Sequence, residues 1–143
     1  MNPLTALVFG VATLAGVVFA PAAADACTCQ RTPIDAPQFL EYGLSAAVGE
    51  LVEWDAATER GVLVAEASWF SDGAQRARVD VSIDVSSDCG TGVQPTVGAN
   101  YVLTFSGDAL PDGAWRASGC TLVEVLADDD AKAAAVATID ALP

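Results

Sequence analysis

The chain has 143 residues and is strongly acidic, with 19 Asp and Glu residues against 6 Lys and Arg, and it contains no histidine. The absence of histidine excludes Ser-His-Asp catalysis and zinc sites of the mixed Cys/His type. A net charge of −13 argues against a nucleic-acid ligand, because no basic patch is available to neutralise phosphates.

The N-terminal segment is apolar from Leu4 to Ala20 and is followed by the small-x-small pattern Ala24-Asp25-Ala26. This arrangement predicts a secretory signal peptide over residues 1–26, so that the mature chain begins at Cys27. We therefore expect a secreted, extracellular protein with no membrane attachment once the signal is removed. Cleavage after Ala24 is an open alternative that would leave two residues ahead of Cys27.

Two other interpretations of the N-terminal segment are a retained anchor helix and a lipoprotein signal. A spanning helix is usually flanked by basic residues, and these are missing here. A lipoprotein signal would have a small neutral residue in place of Asp25. No Lys or Arg precedes the apolar segment, which leaves the assignment of the start codon open.

The four cysteines are Cys27, Cys29, Cys89 and Cys120. An even number in a small exported chain favours disulfides over a redox or zinc centre, and no Cys-x-x-Cys pair is present for an all-cysteine zinc site. A Cys27–Cys29 bond would close a small strained ring, whereas long-range bonds can each contribute about 3–5 kcal/mol. Four cysteines allow three pairings, and their spacing does not choose among them.

The segments after the first cysteines predict a mainly β domain over residues 27–143. Residues 36–42 could form one helical turn, and an acidic stretch at 128–130 caps an alanine-rich helix over about 131–141. Between these helices, alternating or apolar segments separated by turn signals predict about five strands, at about 46–54 (with a bulge at Gly49), 62–69, 76–85, 101–105 and 114–118. This pattern favours a five-stranded antiparallel barrel with a C-terminal helix.

Three further groups of residues could carry chemistry, and each has a simpler structural explanation. Acid–base pairing could involve Glu66, Asp80 and Asp84, although solvated positions on the polar face of a strand are expected. Trp54, Trp69 and Trp115 could line a ligand face, although packing in the core or over an edge is the favoured explanation for each. The acidic stretch at 128–130 could bind Ca²⁺, but it lacks the spacing of an EF-hand loop and fits a helix cap.

Four short motifs resemble the tissue inhibitors of metalloproteinases (TIMPs) and the wider netrin-like module. They are Cys27-Thr28-Cys29, Ser87-Asp88-Cys89-Gly90, Gly98-x-x-Tyr101-Val102-Leu103 and Ser118-Gly119-Cys120-Thr121. The resemblance implies a five-stranded OB-type barrel with flanking helices. It also implies the disulfides Cys27–Cys89 and Cys29–Cys120.

The resemblance implies a function as well. In the inhibitors, the amine and carbonyl of the first cysteine, here Cys27, bind the catalytic zinc of a secreted metalloprotease, and the next side chain, here Thr28, enters its specificity pocket. On this basis we expect a monomer that is not an enzyme and has no cofactor or metal of its own. The alternative is a non-inhibitory extracellular binding or structural module, in which Cys27 and Cys29 are disulfide anchors only.

The chain also departs from the animal inhibitors that it resembles. Those proteins carry further disulfides and a second C-terminal domain, and this sequence has neither. We therefore expect a simpler, bacterial-looking relative.

Overall fold

A computed structural model describes residues 31–87 and 89–143. The elements in this part of the chain are α1 (Gln38–Glu41), β1 (Ser45–Asp55), β2 (Arg60–Trp69), β3 (Arg78–Ile83), β4 (Asn100–Phe105), β5 (Trp115–Ala117), β6 (Val123–Val125) and α2 (Asp129–Asp140). The strands form one sheet in the order β5-β3-β2-β1-β4-β6. The sheet curls into an open half-barrel.

The prediction of a mainly β fold with a C-terminal helix is confirmed, but the prediction of five antiparallel strands is wrong in two respects. Among the residues that the structure describes, the sheet has six strands, because Val123–Val125 forms an additional strand antiparallel to β4. The sheet is also mixed, because β5 runs parallel to β3, with Val81 opposite Trp115. The additional strand has only three residues, too few to produce an alternation. The parallel pairing was missed because alternation carries no information about the partner of a strand or its direction.

The bulge predicted at Gly49 lies where β1 changes register with β2, between Val48 and Gly49. A Cβ atom at Gly49 would lie 2.0 Å from the main-chain oxygen of Val64, so no side chain fits there. The bulged strand pairs with β2 on one side and with β4 on the other. Gly49 therefore allows β1 to be the shared strand of the half-barrel.

The apolar side chains form two cores on the two faces of the sheet. The inner core includes several fully buried large side chains, among them Leu51, Leu63, Phe70, Tyr101 and Phe105. The second core lies on the opposite face, where the helices bring Phe39 and Ile139 against Val48 and Val102. Residues 45–49 are consequently buried on both faces, which is why the start of β1 lacks the alternation of a half-buried strand.

The C-terminal helix begins as the sequence predicts. The carboxylate of Asp128 accepts a hydrogen bond from the main-chain N–H of Ala131 at 2.7 Å, which caps α2. Lys132 of α2 forms an ion pair with Glu66 of β2 at 2.7 Å, and Trp69 donates to the carbonyl of Pro143. In the described part of the chain, neither helix has the length and hydropathy needed to cross a membrane.

Candidate functional site

The loops that carry Cys89 and Cys120 lie side by side at one end of the half-barrel. We call the loop after β3 (residues 84–91, of which 88 is not described) and the loop after β5 (residues 118–121) the cysteine junction. The main-chain N–H of Gly119 donates to the carbonyl of Cys89 at 2.6 Å. The main-chain N–H of Asp84 donates to the carbonyl of Ala117 at 2.9 Å, so the junction continues the parallel pairing of β3 and β5.

Two glycines keep the backbone of the cysteine junction compact, Gly119 between the two loops and Gly90 within the first loop. A Cβ atom on Gly119 would lie 2.5 Å from the carbonyl oxygen of Cys89, and a Cβ atom on Gly90 would lie 2.6 Å from that of Val85. Both obstacles are main-chain atoms, which cannot rotate away as a side chain can. The Cys89-Gly90 and Gly119-Cys120 pairs of the sequence therefore have a packing reason.

A buried carboxylate organises the first loop of the junction. Asp84 is 7% exposed and accepts hydrogen bonds from the Ser87 hydroxyl at 2.6 Å and the Ser87 main-chain N–H at 3.2 Å. Arg116 of β5 lies 3.4 Å from the same carboxylate. The Ser87 hydroxyl, then the Ser87 N–H and Arg116, hold the pKa of Asp84 below its usual value despite the opposing effect of burial.

The expectation that Asp84 is solvated is therefore wrong. Because β3 ends at Ile83, Asp84 no longer follows the in-and-out alternation of that strand and turns into the junction. Asp80 and Glu66 are exposed as expected, and Glu66 is occupied by its ion pair with Lys132. These three acids lie in different environments, which gives no support to an acid–base pair.

Arg31 joins the N-terminal segment to both loops of the cysteine junction. Its Nε atom donates to the carbonyl of Gly119 at 3.2 Å, and its Nη2 atom donates to the carbonyl of Thr91 at 3.4 Å. Sequence analysis did not single out this residue, because a lone arginine after Cys-x-Cys carries no motif. Its contacts fix where the described chain enters the domain.

The predicted site residues Cys27, Thr28 and Cys29 lie outside the described residues, as does the predicted signal peptide. Cys89 and Cys120 lie at the junction, and the described residues include no free cysteine. The pairing of Cys27 with Cys89 and of Cys29 with Cys120 stays a prediction.

Structural roles explain three other candidates of the sequence analysis, Trp115, Trp69 and Asp128. Trp115 is buried in the inner core, and Trp69 packs on Phe39 with ring centroids 5.9 Å apart. Asp128 caps α2 rather than joining a group of ligands. Within residues 31–87 and 89–143, no group of three or more acidic, cysteine or histidine side chains is arranged to hold a metal ion.

No protein-family model matches the chain, and no curated protein sequence matches it at a significant level.

Proposed function

We propose that the mature chain is a secreted TIMP-like, netrin-like module that inhibits a zinc metalloprotease through its N-terminus. In this proposal the amine and carbonyl of Cys27 chelate the catalytic zinc of the protease, and Thr28 fills the adjacent specificity pocket. The observation that carries the proposal is the anchoring of Arg31 to both loops of the cysteine junction.

Arg31 supports the proposal because of its position along the chain. It lies two residues after Cys29 and four after Cys27, and successive Cα atoms are about 3.8 Å apart. The residue is tied to the carbonyls of Gly119 and Thr91, which flank Cys120 and Cys89 closely in sequence. The short connection makes disulfides from the N-terminal cysteines to this junction feasible.

The strand connections support an OB-type assignment within the half-barrel. We propose that β1 to β5 are the five strands of a partly open OB-type barrel and that β6 is an addition to its edge. In support, β1 pairs with both β2 and β4, β2 with β3, and β3 with β5. OB-type barrels are commonly only partly closed, which is compatible with an open sheet.

The chemistry of the proposal follows from the geometry of a chain terminus. An α-amine nitrogen and the carbonyl oxygen of the same residue form a five-membered chelate, and catalytic zinc keeps an open coordination position for such a ligand. Two disulfides would hold this terminus rigid before binding, so little conformational entropy would be lost in the complex.

Adding one alanine before Cys27 tests the proposal directly. The extension buries the amine in a peptide bond, so inhibition of a panel of secreted zinc proteases should be lost while the thermal stability of the domain stays nearly unchanged. Thr28→Gly should weaken inhibition with the fold intact, because it removes the side chain that fills the pocket. Equal inhibition by the native and the extended protein would rule out chelation.

The same experiment addresses the competing function, a non-inhibitory extracellular binding or structural module. If neither form inhibits any protease of the panel, this alternative is favoured. N-terminal sequencing of the secreted protein must accompany the assay, because cleavage after Ala24 would already block the amine of Cys27.

A further inference from the structure

The two residues that would enter the protease, Cys27 and Thr28, are too small a surface to hold a stable complex by themselves. Specific protein–protein interfaces bury about 800 Å² on each partner, which corresponds to a circular patch with a radius of about 16 Å. Thr28 lies three residues before Arg31, so the Cα atoms of the two residues are at most about 11 Å apart. The proposed function therefore requires the surface around Arg31 to take part in the complex.

A cleft of about 360 Å³ lies between Arg31 and the end of α1. We call it the Arg31–Tyr42 cleft, and Arg31 is the only charged residue that lines it. Nε and Nη2 of Arg31 donate to the two carbonyls of the cysteine junction, whereas Nη1 has no partner among the described residues. The cleft therefore offers a positive charge and a free donor on the surface of a strongly acidic protein.

Tyr42 presents a large aromatic surface on the other side of this cleft. It is 62% exposed, more than any other large apolar side chain in the described part of the chain. Its position is fixed by the main chain: its N–H donates to the carbonyl of Gln38 at 2.9 Å, and the glycine after it has a φ of 62°, which ends the helix. Phe39 of the same helix is fully buried and holds α1 on the sheet. A tyrosine held in this way loses little conformational freedom when a partner packs against it.

We propose that the Arg31–Tyr42 cleft is a second contact surface for the same zinc metalloprotease, with Tyr42 as its main anchor; this inference rests on the proposed function. An acidic side chain beside the active-site cleft of the protease pairs with Arg31, and apolar surface next to it packs on the ring of Tyr42. Tyrosine and arginine are among the residue types that carry most of the binding energy at interfaces. Because the rest of the acidic chain repels such a side chain, the cleft also selects the orientation of the complex.

Four forms of the mature chain separate this surface from zinc chelation. They are the native protein, the form with one alanine added before Cys27, Tyr42→Ala, and the two changes combined. Inhibition and direct binding, by surface plasmon resonance, are measured for each protease of the panel. Tyr42→Ala should weaken inhibition by about tenfold or more, the loss typical of an interface anchor. The alanine-extended form should no longer inhibit but should still bind saturably, and Tyr42→Ala should abolish this residual binding.

Two controls accompany these variants. Val64→Ala also truncates an exposed apolar side chain, but Val64 pairs with the start of β3, whereas the cysteine junction follows the end of that strand. It should change affinity by less than about twofold, as is usual for a residue outside an interface. Tyr42 belongs to neither core, so Tyr42→Ala should keep the melting temperature of the native protein. Residual binding of the alanine-extended form should weaken as salt is added, and binding that is insensitive to salt would contradict the pairing with Arg31.

The outcomes distinguish this inference from the proposed function. Equal inhibition by Tyr42→Ala and the native protein would overturn the second surface and leave chelation standing. Equal inhibition by the native and alanine-extended proteins, with weaker binding of Tyr42→Ala, would overturn chelation and support the surface. Equal losses for Tyr42→Ala and Val64→Ala would refute the site as a general effect of surface substitution. A native protein that binds no protease of the panel would overturn both.

Discussion

Asp84 illustrates how one residue shapes the candidate site. Its carboxylate accepts a hydrogen bond from the Ser87 hydroxyl. Its main-chain N–H donates to the carbonyl of Ala117, and its main-chain carbonyl accepts from the N–H of Thr91. Through these contacts it links the end of β3 to the first loop of the cysteine junction and to the end of β5. A neutral amide at this position cannot reproduce the charge-assisted bonds that the carboxylate accepts, which are about twice as strong as neutral ones.

We predict that Asp84→Asn destabilises the protein by about 1–3 kcal/mol at neutral pH, the usual cost of losing hydrogen bonds to a buried charge. The lowered pKa of Asp84 sets the pH dependence of this effect. The stabilisation is complete above the ordinary aspartate pKa of about 4 and is lost as the pH falls through the lowered folded value. The difference in melting temperature between the wild type and Asp84→Asn should therefore shrink from pH 5 towards pH 2.

The control for this prediction is Asp80→Asn, which removes the same charge from an exposed position on the preceding strand. Its melting temperature should follow that of the wild type across the whole pH range. Asp72, whose bond with Arg76 lowers its pKa to about 2, is present in all three proteins and cancels in the comparison. A constant gap between the wild type and Asp84→Asn down to pH 2 would contradict the role assigned to this carboxylate.

Single residues also mark the limit of what the sequence could predict. A glycine inside an alternating strand signals a bulge, and Gly49 confirmed it. Gly119 gave no comparable signal, because its close neighbour Cys89 is 30 positions away along the chain. The burial of Asp84 was missed for a similar reason, since its environment is built by Arg116 and Ser87 and by the exact end of β3.

At the level of elements, the start of α2 could be predicted from the local sequence, whereas its position on the sheet depends on tertiary contacts. The cap at Asp128 is local and could be predicted, whereas the docking of the helix depends on Ile139 and on the ion pair between Lys132 and Glu66. The described part of α2 makes its contacts with β1, β2 and β4, so it covers the face of the sheet opposite the inner core.

We predict that Asp128→Ala lowers the free energy of unfolding by about 1 kcal/mol, because the N–H of Ala131 loses its acceptor. Asp128→Asn removes the same charge but keeps a side-chain oxygen, and should cost only a few tenths of a kcal/mol by comparison. Urea denaturation of the two variants measures the difference. Equal destabilisation by Ala and Asn would assign the effect to charge near the helix N-terminus rather than to the cap.

Some features of the strands could be predicted from local sequence patterns, whereas others depend on contacts between distant parts of the chain. The regular alternation of Val79, Val81 and Ile83 is typical of a strand, and the Ser71-Asp72-Gly73 sequence before it is typical of a hairpin turn, which agrees with the pairing of β3 with β2. The three-residue strand β6 is too short to produce a pattern. The parallel pairing of β3 with β5 depends on how the chain between them wraps around the sheet, which no local pattern records.

For the whole molecule, the arrangement at the cysteine junction could be predicted only in part. The even number of cysteines and their resemblance to a known order indicated that Cys89 and Cys120 would serve one site. The structure brings their loops together through the bond between Gly119 and Cys89 and adds Arg31, which sequence analysis missed. Arg31 could not be recognised from the local sequence, because the carbonyls to which it donates, those of Thr91 and Gly119, lie far along the chain.

We predict that the secreted protein contains the disulfides Cys27–Cys89 and Cys29–Cys120 and no free thiol. Each bond would close a long loop and contribute about 3–5 kcal/mol, chiefly by restricting the unfolded chain. Non-reducing peptide mapping should recover these two pairs, and guanidinium denaturation should show a large loss of stability after reduction. Because Arg31 holds the entering chain against both loops, either order of bonds is within reach of a short segment. Recovery of Cys27 joined to Cys120 would therefore overturn the pairing without disturbing the fold, and would remove the support that the resemblance gives to zinc chelation.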